Sequence, residues 1–227
     1  MLVLAVDTSG RKGSVALCRG DAGSFEVVQL TPLEGGTYSA QLMPTISSLL
    51  QQKGFGKKDV DGFVVVSGPG SFTGLRVGLA TVKGLCEILR KPLATVSMLE
   101  AVAVTYGAAG ETVVTAVLDA GRSEVYVGEY RLGSGSAGLE REYIVKMAEF
   151  AGEANRIGGE LLTPDKSVAE FLQSANVRVR QVARVQADGI GRIGLRKLLA
   201  GDVADAARVD VNYIRRSDAE IFSAPKG

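Results

Sequence analysis

The sequence predicts an α/β protein of two lobes, each a mixed β-sheet with flanking helices. Its 227 residues, 46% of them apolar, suffice for one large domain or two lobes of about 100 residues each. Segments with strand and helix patterns follow one another in the order β-β-β-α-β-α-β-α through the first lobe. The opening of the chain also recurs near its middle. We therefore expect lobes at 1–106 and 107–227.

The first lobe is read from its apolar patterns. Residues 2–7 form a near-continuous apolar run, which indicates a strand buried on both faces. Apolar residues recur at helical spacing from Tyr38 to Lys53, although Pro44 inside that run requires a late start or a kink. The predicted strands span 2–7, 14–18, 25–30, 62–67 and 92–96, and the predicted helices span 38–53, 73–89 and 98–106.

The second lobe is predicted from a repeat. Residues 5–11 align with 116–122 if one residue is inserted, and an apolar strand follows each segment. Duplication explains this order, and coincidence is the alternative, because apolar strands ending in Asp and Gly are common before turns. The elements expected in this half are strands at 113–118 and 124–130, a hairpin loop at 133–138, a strand ending in a glycine turn at 155–159, helices at 167–175 and 190–199, and an extended tail after Asp210 that packs through Tyr213 and Ile214.

Composition excludes several classes of function. The net charge is +1, so no global field attracts nucleic acid or an anionic membrane. The chain contains no histidine, the commonest general base and nitrogen ligand for metals, so we expect no metal site and no catalytic residue. Cys18 and Cys86 lie in apolar segments and are expected to be buried thiols. We find no membrane span or signal peptide and expect a cytoplasmic protein.

A glycine-rich segment at residues 67–79 follows a predicted strand and opens a helix. This arrangement leaves free backbone N–H groups at the helix N-terminus, which suits an anion or a closely approaching backbone. It lacks the Lys-Ser/Thr ending of a Walker loop. Ser71 or Thr73 is expected to cap the helix. A catalytic pair of Ser71 with Lys83 is disfavoured.

Two carboxylates are candidates for a nucleotide cleft. Asp7 and Asp119 each end a central strand, where α/β sheets bind ligands. With Ser9 and Gly70 they could hold a metal-bound phosphate. The alternative is that each Asp caps its own turn.

The helix at 73–89 has small residues one turn apart, Gly74 with Gly78 and Ala80 with Gly84. Small residues allow close approach of another element, either the sheet beneath or a partner chain. The predicted partner interface, which would also form a symmetric homodimer of the isolated chain, comprises Tyr38, Leu42, Met43, Ile46, Phe72, Arg76, Gly78, Leu79 and Lys83.

A basic cluster lies late in the chain, at Arg178, Arg180, Arg184, Arg192, Arg196 and Lys197. It is read as a solvated face, and a contact with a phosphate backbone stays open.

Three segments resemble the TsaB family, the smaller actin-like subunits of the bacterial tRNA threonylcarbamoyladenosine machinery. They are Leu4-Ala5-Val6-Asp7-Thr8-Ser9, Ser67-Gly68-Pro69-Gly70-Ser71-Phe72-Thr73-Gly74-Leu75-Arg76-Val77-Gly78, and Tyr213-Ile214-Arg215. The resemblance implies the two-lobe actin-like, ribonuclease H-like (ASKHA) fold. Two departures stand out: Tyr38 occupies the usual His position, and Val211 the usual Pro position.

What the resemblance implies is a scaffold. The catalytic relative TsaD carries a metal-binding His-x-x-x-His where this chain has Met98 and Val102, so the cleft of Asp7 and Asp119 would be vestigial. The partners implied are TsaD and the ATPase TsaE, with tRNA reached through the complex and ATP or ADP bound only there. The rival hypothesis is a stand-alone kinase-like ATPase or a glycoprotease-type peptidase.

Overall fold

The structure, a computed structural model, describes residues 1–34, 37–107, 110–133, 136–212 and 214. The chain divides into two compact units, Met1–Ala101 with Val185–Val211, and Val102–Arg184 with Asn212–Gly227. Each unit contains a five-stranded mixed sheet, as the sequence predicts. The predicted residues Tyr213 and Arg215 lie outside the described residues.

The first unit has its elements close to the predicted positions. Its central strands are almost wholly apolar and buried on both faces, as expected for the middle of a sheet covered by helices. Pro44 lies on the exposed side of a helix that begins at Tyr38, so a late start is excluded. The elements are β1 (Leu2–Asp7), β2 (Lys12–Gly20), β3 (Phe25–Glu34), α1 (Tyr38–Gln52), β4 (Gly62–Gly68), α2 (Phe72–Leu89), β5 (Leu93–Ser97) and α3 (Met98–Val104), which runs into the second unit.

The second unit repeats the order of the first. Its elements are β6 (Thr112–Gly121), β7 (Glu124–Gly133), β8 (Ser136–Lys146), α4 (Met147–Ala154), β9 (Glu160–Thr163), α5 (Lys166–Ser174) and β10 (Arg180–Gln181). The strand orders are β3-β2-β1-β4-β5 and β8-β7-β6-β9-β10, and the first three strands of each are antiparallel while the others pair in parallel. The predicted repeat of strand order is confirmed.

One strand prediction in this unit is wrong. Residues 155–159, expected as a strand that ends in a glycine turn, follow the end of α4 as an irregular turn, and the strand begins at Glu160. Gly159 has a φ of +95°, a conformation that breaks a strand and that favours glycine. Gly158 and Gly159 therefore come before strand β9 and do not end a strand.

The predicted second lobe at 107–227 is also wrong, because the last helix belongs to the first unit, and the first division of the chain falls after Ala101. This helix, α6 (Ala187–Ala200), packs on β1, β2, β4 and β5. Gly191 and Gly194 allow the close approach, since a Cβ at Gly194 would lie 2.2 Å from Val64 Cγ1. The buried Ser14 hydroxyl accepts the backbone N–H of Ala187 at 2.9 Å and so caps the helix.

None of the helices in the described ranges combines the length and apolar character needed to cross a membrane.

Candidate functional site

The turn after β1 is held by the first candidate carboxylate. Asp7 is 1% exposed, and its Oδ1 accepts the backbone N–H of Ser9 at 2.8 Å and the Ser9 hydroxyl at 2.6 Å. Asp7 therefore caps its own turn.

The glycine-rich loop closes directly on that turn. The N–H of Ser71 donates to Ser9 O at 2.6 Å, and the Ser71 hydroxyl accepts the N–H of Gly74, which confirms Ser71 as the cap of α2. A Cβ at Gly70 would lie 2.3 Å from Ser9 O, and one at Gly74 would lie 2.1 Å from Thr8 O. The loop thus contacts a closely approaching backbone, which is one of the two alternatives that its sequence predicted, the other being an anion.

Gly78 continues this internal contact and does not face a partner. A Cβ at Gly78 would lie 2.3 Å from Thr8 Oγ1, and that hydroxyl donates to Gly74 O at 2.7 Å. The glycine is buried beneath the turn of its own unit. Its prediction as an interface residue is therefore wrong, and the internal alternative holds.

Four further interface predictions fall in the core of the first unit. Leu42 and Ile46 are buried where α1 packs on β2, β3 and α2, and Leu79 is buried on α2. Tyr38 is buried and donates its hydroxyl to Gly10 O at 2.8 Å. The apolar stripe of α1 is thus core packing, which leaves it unable to contact a partner directly.

The other predicted interface residues reach the surface or its margin. Met43 is 36% exposed and Phe72 38% exposed. The guanidinium of Arg76 lies 3.8 Å from the centre of the Phe72 ring, a cation–π contact that orients both side chains. Lys83 is half-buried and donates to Val209 O at 2.8 Å, so it holds the C-terminal segment against α2.

The structure adds residues on the outer face of α2 that the predicted interface omits. Ala80 and Gly84 are exposed, and a Cβ at Gly84 would meet nothing within 4 Å. Ile88, one turn further on, is 80% exposed. The spacing of four residues was the available signal, because it places all three on one face of a helix. We use the name outer face for the surface formed by Met43 of α1 and by five residues of α2, namely Phe72, Arg76, Ala80, Gly84 and Ile88.

The second candidate carboxylate belongs to the second unit. Asp119 is exposed, and its Oδ1 accepts the N–H of Gly121 at 2.7 Å, so it also caps its own turn. Its own N–H donates to Asp165 Oδ2 at 2.8 Å. Within the described part of the chain, no group of three or more His, Cys, Asp or Glu side chains could hold a metal ion.

Both thiols are buried, as predicted. Burial raises the pKa of Cys18 to about 12 and that of Cys86 to about 11. At neutral pH each therefore stays protonated and unsuited to nucleophilic attack.

Comparison with known proteins identifies the family. The family described as TsaD, tRNA N6-adenosine threonylcarbamoyltransferase, matches residues 35–187. The tRNA threonylcarbamoyladenosine biosynthesis protein TsaB of Escherichia coli (strain K12) is 31% identical over 166 residues, which is 72% of this chain and 70% of that protein. The chain belongs to the TsaB family.

Two further relatives of the TsaB-family chain bear on coverage and fold. TsaB of Bacillus subtilis (strain 168) is 36% identical over 135 residues, and the match spans 60% of this chain but only 57% of that protein. A crystal structure from Pseudomonas aeruginosa, of an uncharacterized protein with similarity to the peptidase YeaZ, is 26% identical with a TM-score of 0.72. The match covers 94% of this chain and 99% of the Pseudomonas aeruginosa chain. It confirms the predicted two-lobe actin-like fold.

Proposed function

We propose that this chain is a non-catalytic subunit that pairs with TsaD, with TsaE as a third partner. In this role it supports threonylcarbamoyl transfer to the tRNA adenosine beside the anticodon, in the cytoplasm. Membership of the TsaB family supports the pathway. The observation that carries the pairing is the outer face of α2, where small residues are followed by an exposed isoleucine.

The outer face suits a close helix–helix contact. Ala80 and Gly84 add almost no bulk, so a partner helix can approach the α2 backbone, and helix separation depends on the side chains at the contact. Ile88 would lose most of its water-exposed surface there, which stabilises association by about 2 kcal/mol. Arg76 over Phe72 supplies a polar, oriented flank at the other end. The proposed interface is therefore α2 with Met43 from α1.

A supporting rather than catalytic role agrees with the β1 turn. Asp7 caps its own turn, and the glycine loop packs so closely against Ser9 and Thr8 that neither Gly70 nor Gly74 has space for a Cβ. The sequence also lacks histidine for general base catalysis. On this proposal, ATP or ADP enters the complex with TsaE.

Reconstitution with tRNA tests the proposal. TsaD and TsaE are supplied with tRNA, ATP and an activated threonylcarbamoyl donor and are assayed for threonylcarbamoyladenosine formation with and without this chain. Modified nucleosides are measured by mass spectrometry. We expect product only when the chain is present, no ATP or peptide turnover by the chain alone, and full support by an Asp7→Asn variant that remains folded. Sustained ATP turnover by the isolated chain, abolished in Asp7→Asn, would establish the rival ATPase function. Peptide cleavage by the pure chain would establish the peptidase.

The same face predicts self-association. In the absence of TsaD, Ile88 and Phe72 would stay exposed to water, so we expect the isolated chain to form a symmetric homodimer through α2. Light scattering across a concentration series measures this. A chain that stays monomeric at high concentration yet binds TsaD normally would contradict the shared surface.

A further inference from the structure

The chain that follows α6 passes α2 as an extended segment of the first unit. We use the name strap for this segment, residues 204–211. The strap begins at the outer edge of β5, where the N–H of Ala204 donates to Leu93 O at 2.7 Å. It ends at Val211, whose side chain is buried. Both ends are therefore fixed to the unit, although the residues between them form neither a helix nor a strand.

Lys83 on α2 holds the middle of the strap. Its ammonium donates to Val209 O at 2.8 Å and to Ala207 O at 3.4 Å. Hydrogen bonds from a charged donor are stronger than those between neutral groups. Because one ammonium binds two carbonyl groups of the strap, Lys83 sets the position of the strap against α2.

The strap and α1 lie on opposite sides of α2. Strand β5 is at one edge of the sheet, and α1 packs on β2 and β3 towards the other edge. Helix α2 packs on β4 and also against α1. The strap starts from the β5 edge, so it reaches α2 from the side away from α1. The outer face is therefore bounded by Met43 of α1 on one side and by the strap on the other.

A partner helix on the outer face would reach the strap. Lys83 follows Ala80 by three residues, a spacing that puts two Cβ atoms of a helix about 5–6 Å apart on the same face. A helix with its side chains is about 10–12 Å wide. A partner helix centred on Ala80 and Gly84 would therefore extend over Lys83 to the carbonyl groups that Lys83 holds.

The strap carries charged side chains beside the small residues of the outer face. Asp205, Arg208 and Asp210 are all exposed. Arg208 and Asp205 pair with each other at 3.5 Å, with side-chain exposures of 89% and 58%. Such an exposed ion pair contributes little stability, so both charges can pair with charges of a partner at low cost. A polar rim around an apolar centre is the usual composition of a protein interface.

We infer that the strap forms a polar rim of the TsaD interface and that Lys83 is the residue that positions it. TsaD as the partner rests on the proposed function. The position of the strap beside the outer face rests on the contacts of Lys83 and on the Ala204 bridge to β5. The inference adds to the proposed interface a segment that lies more than 100 residues from α2 in the sequence.

The test is amide hydrogen exchange of the full-length chain, measured by mass spectrometry with and without TsaD. TsaD should slow the exchange of the strap amides together with those of α2. Lys83→Met removes the ammonium but keeps the length of the side chain. In the free variant the strap amides should exchange at least about tenfold faster, because a hydrogen bond from a charged group contributes about that factor.

The TsaD affinity of the same proteins is measured by calorimetry. Lys83→Met should bind TsaD about tenfold more weakly, because a loose strap must be ordered when TsaD binds. Val211→Ala loosens the end of the strap without changing any charge, so strap exchange should again be faster and TsaD affinity at least about threefold weaker. Lys58→Met is the matched control. Lys58 is an exposed lysine in the helical turn before β4, and its variant should match the wild type in both measurements.

The possible outcomes separate the inference from the proposed function. Strap amides that stay unprotected while TsaD protects α2 would overturn the inference and leave the proposed function intact. Unchanged strap exchange in Lys83→Met, or wild-type TsaD affinity of both strap variants, would overturn it as well. An equal loss of affinity in Lys58→Met would assign the effect to net charge and refute the role of Lys83. A wild-type chain that does not bind TsaD would contradict the proposed function and the inference together.

Discussion

Replacement of Gly78 by alanine should destabilise the first unit. The added Cβ would lie 2.3 Å from Thr8 Oγ1, whereas ordinary contacts begin at 3.4 Å, so one of the two groups must move by about 1 Å. Thr8 is buried, and rotation of its hydroxyl away from the methyl group would break the 2.7 Å bond to Gly74 O.

The expected cost follows from three terms. Overpacking costs about 1–3 kcal/mol, and a buried polar group left without its partner costs about 1–3 kcal/mol more. Alanine gains about 1 kcal/mol of helix propensity over glycine. The free energy of unfolding should therefore fall by about 1–5 kcal/mol.

The assay is urea denaturation followed by circular dichroism, with Gly84→Ala as the matched control. Gly84 lies on the same helix in open space, so its replacement should raise stability by up to about 1 kcal/mol. In a Thr8→Ala background the obstructing hydroxyl is absent, and Gly78→Ala should then cost at least about 1 kcal/mol less than in the wild type. Equal stabilities for the two glycine variants would refute the internal packing of Gly78.

Three other perturbations have defined outcomes. Cys18 and Cys86 should resist Ellman's reagent in the native protein at pH 8, because their raised pKa values keep both thiols protonated. Both should react fully in denaturant. Rapid labelling of the native protein would contradict their burial. Ser14→Ala should lower the free energy of unfolding by about 0.5–2 kcal/mol, since it removes the cap of α6, and an unchanged denaturation midpoint would exclude that role. Gly159→Ala should destabilise the second unit by more than about 1 kcal/mol, because φ is +95° and the Cβ would lie 2.1 Å from a neighbouring carbonyl oxygen; wild-type thermal stability would count against it.

Much of the fold can be predicted from the sequence because its signals are local. Apolar runs mark β1 and β4, and helical periodicity marks α1 and α2. Strand β8 was not predicted, because its sequence, Ser136–Lys146, is rich in polar and charged residues and gains its order from pairing with β7. For example, the Tyr130 hydroxyl on β7 bonds to Glu142 on β8, a contact with no local signature.

Local sequence patterns also could not predict that α6 belongs to the first unit. Its contacts join residues far apart in sequence, such as Gly194 with Val64. Only the folded arrangement shows that these positions meet.

The sequence predicted that α2 carries the candidate site, but it did not predict which side of α2 faces outward. The sequence places small residues on α2 at two sets of positions, and either set suits a close contact. Gly74 and Gly78 prove internal because the β1 turn lies beneath them, while Ala80 and Gly84 face outward. Leu42 also illustrates the general rule that an apolar stripe on a helix of a globular unit packs into the core.

The affinity of TsaD for Gly84→Leu tests the central claim most directly. A leucine there extends into open space on the outer face, so the chain should keep its wild-type melting temperature or exceed it. The matched control is Gly152→Leu, another helical glycine in open space, on α4 of the second unit. By calorimetry we expect Gly84→Leu to bind TsaD at least about 30-fold more weakly, a loss of about 2 kcal/mol, while Gly152→Leu binds as the wild type does. A folded Gly84→Leu variant with wild-type affinity would contradict pairing through α2.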